Sequence, residues 1–163
     1  MKGKNQASII LRKPKRSDVP ILFDQQNDAG AHRMVGVTSH APDDRKAYFS
    51  KWEKIFADDG IIARTILFQN EIAGVINSFH APWSNRLEVG YWLGREFWGK
   101  GIATKALGEF LLIDNRRPLG ATAVVTNKGS IKVLQTCGFE IVDTVDVELE
   151  GGEVLSEHRF ELL

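Results

Sequence analysis

GREFWGKGIATKAL, residues Gly94 to Leu107, is the stretch on which the fold turns. A glycine-bearing polar turn runs into an apolar pattern at helical spacing. Ile102, Ala103, Ala106 and Leu107, continued by Phe110 and Leu111, share one face. The start of a helix carries about four backbone amides with no partner inside the helix. Gly99 and Gly101 let a ligand approach those amides without a Cβ in the way. Ala103 keeps the next turn small, Thr104 adds a hydroxyl, and Lys100 adds a charge. Such a turn suits a pyrophosphate held by amides, with no metal required.

Other readings of the turn are less complete. A P-loop needs a hydroxyl after Gly99-Lys100 to hold magnesium, and Gly101 stands there. A dinucleotide fingerprint fits Gly99 and Gly101 but meets Thr104 at its third glycine, and it belongs to a parallel βαβ unit. A plain strand-to-helix turn with sterically required glycines explains the glycines equally well.

Working outward, RLEVGYWL (86–93) reads as a strand, with Gly90 inside it as a site for a bulge or a close backbone approach. Before it, Ile61–Phe68 and Ile72–Ser78 flank Gln69-Asn70-Glu71 and read as a hairpin. Further upstream, residues 7–12 suit a short strand. Ser17-Asp18-Val19-Pro20 marks a helix start with a capping hydroxyl. Residues 27–42 read as a loop or broken helix. Asp43-Asp44 opens a helix bearing Tyr48, Phe49, Trp52, Ile55 and Phe56, closed by Asp59-Gly60. Downstream, Arg116-Arg117-Pro118 stops the helix, and Ala121–Val125 is a buried strand. Ile131, Leu134 and Cys137 mark a brief helix ended by Gly138. Phe139–Leu149 and Val154–Leu162 close the chain as a hairpin around Glu150-Gly151-Gly152-Glu153. The order β-α-α-β-β-β-α-β-α-β-β specifies a mixed α/β sheet with antiparallel hairpins.

A chain of 163 residues is expected to form one domain, 1–163. Zero formal net charge gives no global field toward nucleic acid or an anionic membrane. The apolar runs are too short to span a bilayer, and the Ile9–Leu11 run is too short for a secretory signal. The single Cys137 rules out an internal disulfide framework and fits a reducing, cytoplasmic setting. His32, His40, His80 and His158 are scattered, so no metal site is expected.

Two segments carry a family resemblance. Trp98-Gly99-Lys100-Gly101-Ile102-Ala103 resembles the coenzyme A loop of the GNAT superfamily of acyl-CoA N-acyltransferases, Gln/Arg-x-x-Gly-x-Gly/Ala. Gly101 and Ala103 occupy its last two fixed places, and Trp98 replaces the first. The run YWLGREFWGKGIATKAL is similar to the branch that acetylates ribosomal-protein N-terminal alanines. Asn127-Lys128-Gly129-Ser130, followed by Cys137-Gly138-Phe139, resembles that branch's Asn-x-x-Ser and Gly-Phe elements. The resemblance spans roughly residues 9–162 and is most specific over 87–139. It implies a mixed, mostly antiparallel twisted sheet flanked by helices, with a splay between the fourth and fifth strands. It also implies acetyl-CoA as acyl donor and cosubstrate, and direct transfer in a ternary complex to a peptide N-terminus or a small amine. A coenzyme A-binding regulatory module without turnover is the alternative. A monomer or a homodimer fits equally.

Acyl transfer from a thioester needs a held carbonyl, an unprotonated amine and help for the departing thiolate. The resemblance places the pantetheine arm along the free backbone edge of Tyr91, Trp92 and Leu93, with the pyrophosphate on Trp98, Gly99, Lys100, Gly101, Ile102, Ala103 and Thr104. Asn127 is a further coenzyme contact, and helix capping is its alternative role. Glu88, in the strand before the loop, is the candidate base, and a pair with Arg86 is its alternative role. Many relatives use a tyrosine where Leu134 stands here, and the resemblance assigns the thiolate donor to Ser130. Cys137 reads as a packed thiol. Arg12, Lys13, Lys15 and Arg16 read as a solvated cluster. Trp83, in HAPWSNR, is a candidate groove residue.

Overall fold

The computed structural model describes residues 8–28, 30, 44–149 and 151–163. Strand β1 (Ile9–Arg12) leads through a 3-10 turn at Arg16–Asp18 into α1 (Val19–Gln26). The Arg12 guanidinium meets Asp18 at 2.7 Å, and the buried Asp18 also accepts from Thr65 at 2.8 Å. This corrects the expected Ser17 cap. No side chain caps α1, and Asp18 instead ties the turn to the sheet. Arg12 is therefore not simply solvated, whereas Arg16 stays exposed and pairs with Glu53 at 3.0 Å on the surface.

Helix α2 (Arg45–Ala57) is capped by Asp44, which accepts from the Ala47 amide at 3.0 Å. Most of the expected 27–42 loop, His32, His40, Asp43 and Glu150 lie outside the described residues. Strands β2 (Ile62–Phe68), β3 (Glu71–Ala81) and β4 (Arg86–Leu93) form an antiparallel meander. After a 3-10 turn at Arg95–Phe97 come α3 (Ile102–Ile113), β5 (Leu119–Val124), α4 (Lys128–Thr136), β6 (Glu140–Glu148) and β7 (Val154–Leu162). The seven strands make one sheet in the order β1-β2-β3-β4-β5-β7-β6. The β4–β5 pair is parallel and the other pairs are antiparallel.

Side chains alternate across a strand, so β3 feeds two cores. Ile76 joins Ile66, Leu107, Phe110, Leu119 and Phe160 in a cluster that includes α3 and α4 residues. Its neighbour Val75 joins Leu22, Phe23, Tyr48 and Trp52 from α1 and α2. The sheet is thus covered by helices on both faces. Each fully buried large side chain contributes about 1.5–3 kcal/mol, which holds the sheet between its helices while one seam stays open.

That seam is between β4 and β5. They pair only at Glu88 and Gly120 and separate beyond that point. The bulge expected at Gly90 is absent. The β3–β4 register runs unbroken through Asn77 and Gly90, and the irregularities fall at Ile66/Leu67 and Ile141/Asp143. The divergence of β5, rather than a kink in β4, opens the splay.

The end of α3 is tied down by Asp114, which is 1% exposed. It accepts from Arg116 Nε and Nη2 at 2.9 Å and from the Ser78 hydroxyl. Burial alone would raise its pKa. The Arg116 and Ser78 hydrogen bonds more than offset that and hold it at about 2. Among the described residues no helix is long and apolar enough to cross a membrane.

Candidate active site

The splay opens into a cavity of about 730 Å³. One wall is β4 from Val89 to Leu93 and the other is β5 from Ala121 to Val124. The turn before α3 and the first turns of α3 and α4 close the ends. Beyond Glu88, β4 is paired on its β3 side only, so its other edge faces the opening.

The α3 turn is built by two glycines in the left-handed region, Gly99 at φ 73° and Gly101 at φ 74°. Only glycine adopts such a backbone without strain. Gly101 is the N-cap residue and offers no side-chain cap, and the space where Cβ atoms would sit on Gly99 and Gly101 is open to 4 Å. The first amides of α3 are therefore uncapped and unobstructed, at the positive end of the helix dipole. Trp98, Gly99, Gly101, Ile102, Ala103 and Thr104 all line the cavity. Lys100 does not. It is exposed on the rim of the turn.

Asn127 and Ser130 line the opposite side. The Asn127 Oδ1 accepts from the Ser130 amide at 3.2 Å and so caps α4 while facing the cavity. Ser130 Oγ lies 2.9 Å from Tyr91 Oη across the splay. Burial pushes the Tyr91 phenol up to about 12, with the Ser130 hydrogen bond only partly opposing it. Leu134, buried on the same wall, brings no hydroxyl.

Tyr91, Trp92 and Leu93 line the cavity, but each has a prior tie. The Trp92 indole donates to the Gln25 carbonyl of α1 at 3.1 Å. The Leu93 carbonyl already accepts from the Trp98 indole at 3.0 Å, which anchors the α3 turn to the end of β4. A sequence reading based on a free strand edge had no signal for these contacts. It also passed over Lys128, Lys132 and Thr126, which line the α4 side. The two lysines sit at i,i+4 spacing on that helix, a detectable sign of one cationic face.

Glu88 sits where the strands still touch and is 2% exposed, and it is not on the cavity wall. It accepts from the Ser84 hydroxyl and lies 3.6 Å from Arg86 Nε. Both the proposed base and its ion-pair alternative are thus compatible with its placement. Among the described residues, the buried Arg86 Nε and Nη2 have no hydrogen-bond partner. The guanidinium rests on Gly120, where a Cβ would come within 2.5 Å of it. Trp83 is 63% exposed at the β3–β4 turn and stands edge-on, at 5.8 Å, to Phe79, the cross-strand partner of Glu88. Cys137 is half-buried, and burial raises its thiol pKa.

Comparison with known proteins agrees with this architecture. The profile of the Acetyltransferase (GNAT) domain matches residues 8–140. A Bacillus subtilis (strain 168) protein, YdaF, that carries the name of a ribosomal N-acetyltransferase is 32% identical over 142 residues, covering 81% of this chain and 76% of its own. A Vibrio cholerae spermidine N-acetyltransferase, solved with CoA and spermine, superposes with a TM-score of 0.82 at 17% identity over 98% of this chain and 96% of its own. A Brucella melitensis ribosomal-protein-alanine N-acetyltransferase gives 0.80 at 20% identity over 94% and 99%. At these identities the two solved structures show a shared fold. The chain belongs to the GNAT acetyltransferase family and is an acetyl-CoA-dependent acyltransferase.

Proposed function

We propose that this chain works as one domain that moves the acetyl group of acetyl-CoA onto a primary amine, a peptide N-terminus or a small amine, by direct attack in a ternary complex. The observation that carries this reading is the parted β4–β5 seam, with uncapped amides at one end and a buried carboxylate at the other. The residues present suit the donor. The open space over Gly99 and Gly101 admits a pyrophosphate against the α3 amides. Lys128 and Lys132 bring positive charge to the opposite wall. Beyond Glu88 no strand among the described residues covers the second edge of β4, and the backbone of Val89 to Tyr91 there lies against an amide-bearing arm.

In this reading Glu88 takes the proton of the incoming ammonium through water, since its carboxylate does not reach the cavity wall directly. A peptide α-amine, with a reference pKa of ~7.7–8.0, needs less help than an alkyl amine at ~10.4. Ser130 donates a hydrogen bond to the departing sulfur, whose thiolate has a reference pKa of ~8.5 and leaves without full protonation. The likeness to YdaF supports a peptide α-amine as acceptor. The exposed Trp83 on Phe79 gives that side of Glu88 an apolar ledge for the acceptor's body.

The test is a panel of amine acceptors with acetyl-CoA, read by free-thiol release and by acceptor mass. N-terminal-alanine peptides, other peptides and polyamines belong in the panel. The expected result is acetylated peptide with stoichiometric thiol. Coenzyme binding without thiol release above the acceptor-free rate for any amine leaves a regulatory module instead.

A further inference from the structure

We propose that Tyr91 is a positioning residue for acyl transfer: its phenol donates to the Ser130 oxygen and thereby aims the Ser130 proton at the departing sulfur. The inference rests on the reading that Ser130 faces the thioester, and it assigns Tyr91 a side-chain role distinct from the backbone role of its strand. Tyr91 comes from β4 and Ser130 from the first turn of α4, so their 2.9 Å contact spans the splay itself. Both residues line the cavity. The Ser130 backbone is already fixed by Asn127. Its side-chain rotamer is not, and a serine hydroxyl rotates to suit its partners. A donor on one side of Oγ settles that rotation. A phenol held at about 12 keeps its proton throughout the working range and serves as a constant donor. An accepted hydrogen bond also polarises the Ser130 O–H and strengthens the bond that it donates in turn.

The step balances without a further reagent. The incoming ammonium gives its first proton through Glu88 to bulk water. The free amine nitrogen then forms the new C–N bond and gives its second proton to Glu88 as the tetrahedral adduct collapses. The C–S bond breaks, and sulfur leaves as a thiolate hydrogen-bonded by Ser130. Water then protonates the released thiolate and takes the proton from Glu88. Tyr91 keeps its proton throughout.

A double-mutant cycle on the full chain tests the proposal, using one good amine acceptor. Tyr91→Phe removes the hydroxyl and keeps the ring. We expect kcat to fall about three- to tenfold, the range for one neutral hydrogen bond. The KM for acetyl-CoA, its calorimetric affinity and the melting temperature should stay near wild type. Ser130→Ala should cost at least as much, and the double variant should be no slower than Ser130→Ala alone. Additive losses overturn the proposal, as does a Tyr91→Phe variant with unchanged kcat beside an impaired Ser130→Ala. A Tyr91→Phe loss confined to acetyl-CoA affinity or to melting temperature also overturns it, by making the tyrosine structural. Full turnover in Ser130→Ala overturns something different, the Ser130 reading on which the inference stands. Ser130→Thr, which keeps a hydroxyl, should remain sensitive to Tyr91→Phe.

Discussion

Glu88 shows how much one residue's neighbours constrain its role. It is buried, it is bonded by Ser84, and it has a cation 3.6 Å away. A base in that setting acts through water, and its removal has a pH signature. Glu88→Gln keeps shape and much of the hydrogen bonding. Turnover should fall by about 10²–10⁴ near neutral pH and recover in part at high pH, where more of the amine is already deprotonated. Superimposable pH–rate profiles for the two proteins would leave Glu88 as a structural partner of Arg86. At this scale the sequence was partly legible. The spacing of Asn127 and Ser130 announced a cap, and the cap is there. The Tyr91–Ser130 contact was not legible, because 39 residues separate its members and strand alternation alone does not place a phenol beside a helix.

At the scale of elements, the α3 turn is the most demanding piece of backbone. Any side chain on Gly101 at φ 74° is strained by about 1–2 kcal/mol, although nothing among the described residues obstructs it. Gly101→Val should therefore lower the melting temperature by a few degrees and weaken acetyl-CoA binding by a larger factor, because its Cβ enters the space above the amides. Gly108, inside the same helix and also unobstructed, is the control. Gly108→Ala should stabilise the helix by about 0.5–1 kcal/mol and leave calorimetric affinity unchanged. Equal affinity losses in both variants would remove the turn from the binding site. The turn was readable as a turn because its glycines stand just before a helical apolar face begins, and the glycines by themselves fit a steric role as well as a binding one. The capping of α1 was misread because Ser17 carries the right hydroxyl, while the buried pair of Arg12 and Asp18 settles the turn from outside it.

For the whole molecule, the order of elements followed from hydrophobic periodicity, and the strand 86–93 matches β4 to the residue. The order within the sheet did not. That β7 lies between β5 and β6 depends on pairings such as Ala121 with Phe160, for which no local pattern exists. Long-range ties of this kind also set the acid stability. Asp114 joins the end of α3 to Ser78 of β3, and its pKa is held down at about 2. A carboxylate lowered in the fold stabilises it above its unfolded value of about 4, and that contribution, roughly 2 kcal/mol here, is lost as pH falls through the folded value. Asp114→Asn should thus cost about 2 kcal/mol in denaturant titrations at pH 7, and the difference from wild type should shrink toward pH 2. A constant difference at both pH values would mean that the charge contributes nothing.

The bare backbone of Gly120 gives the Arg86 guanidinium its resting place beside Glu88. The far end of an arginine swings aside at little cost, so a methyl group at position 120 evicts the cation without breaking the sheet. A missing side chain on one strand thereby governs the company kept by a charge on the next. Gly120→Ala should leave melting and acetyl-CoA affinity close to wild type while turnover falls, and a collapse in melting temperature would show that the backbone gave way instead. With Glu88 as the proposed base, its proton chemistry is then open to change from a residue that stands off the cavity wall.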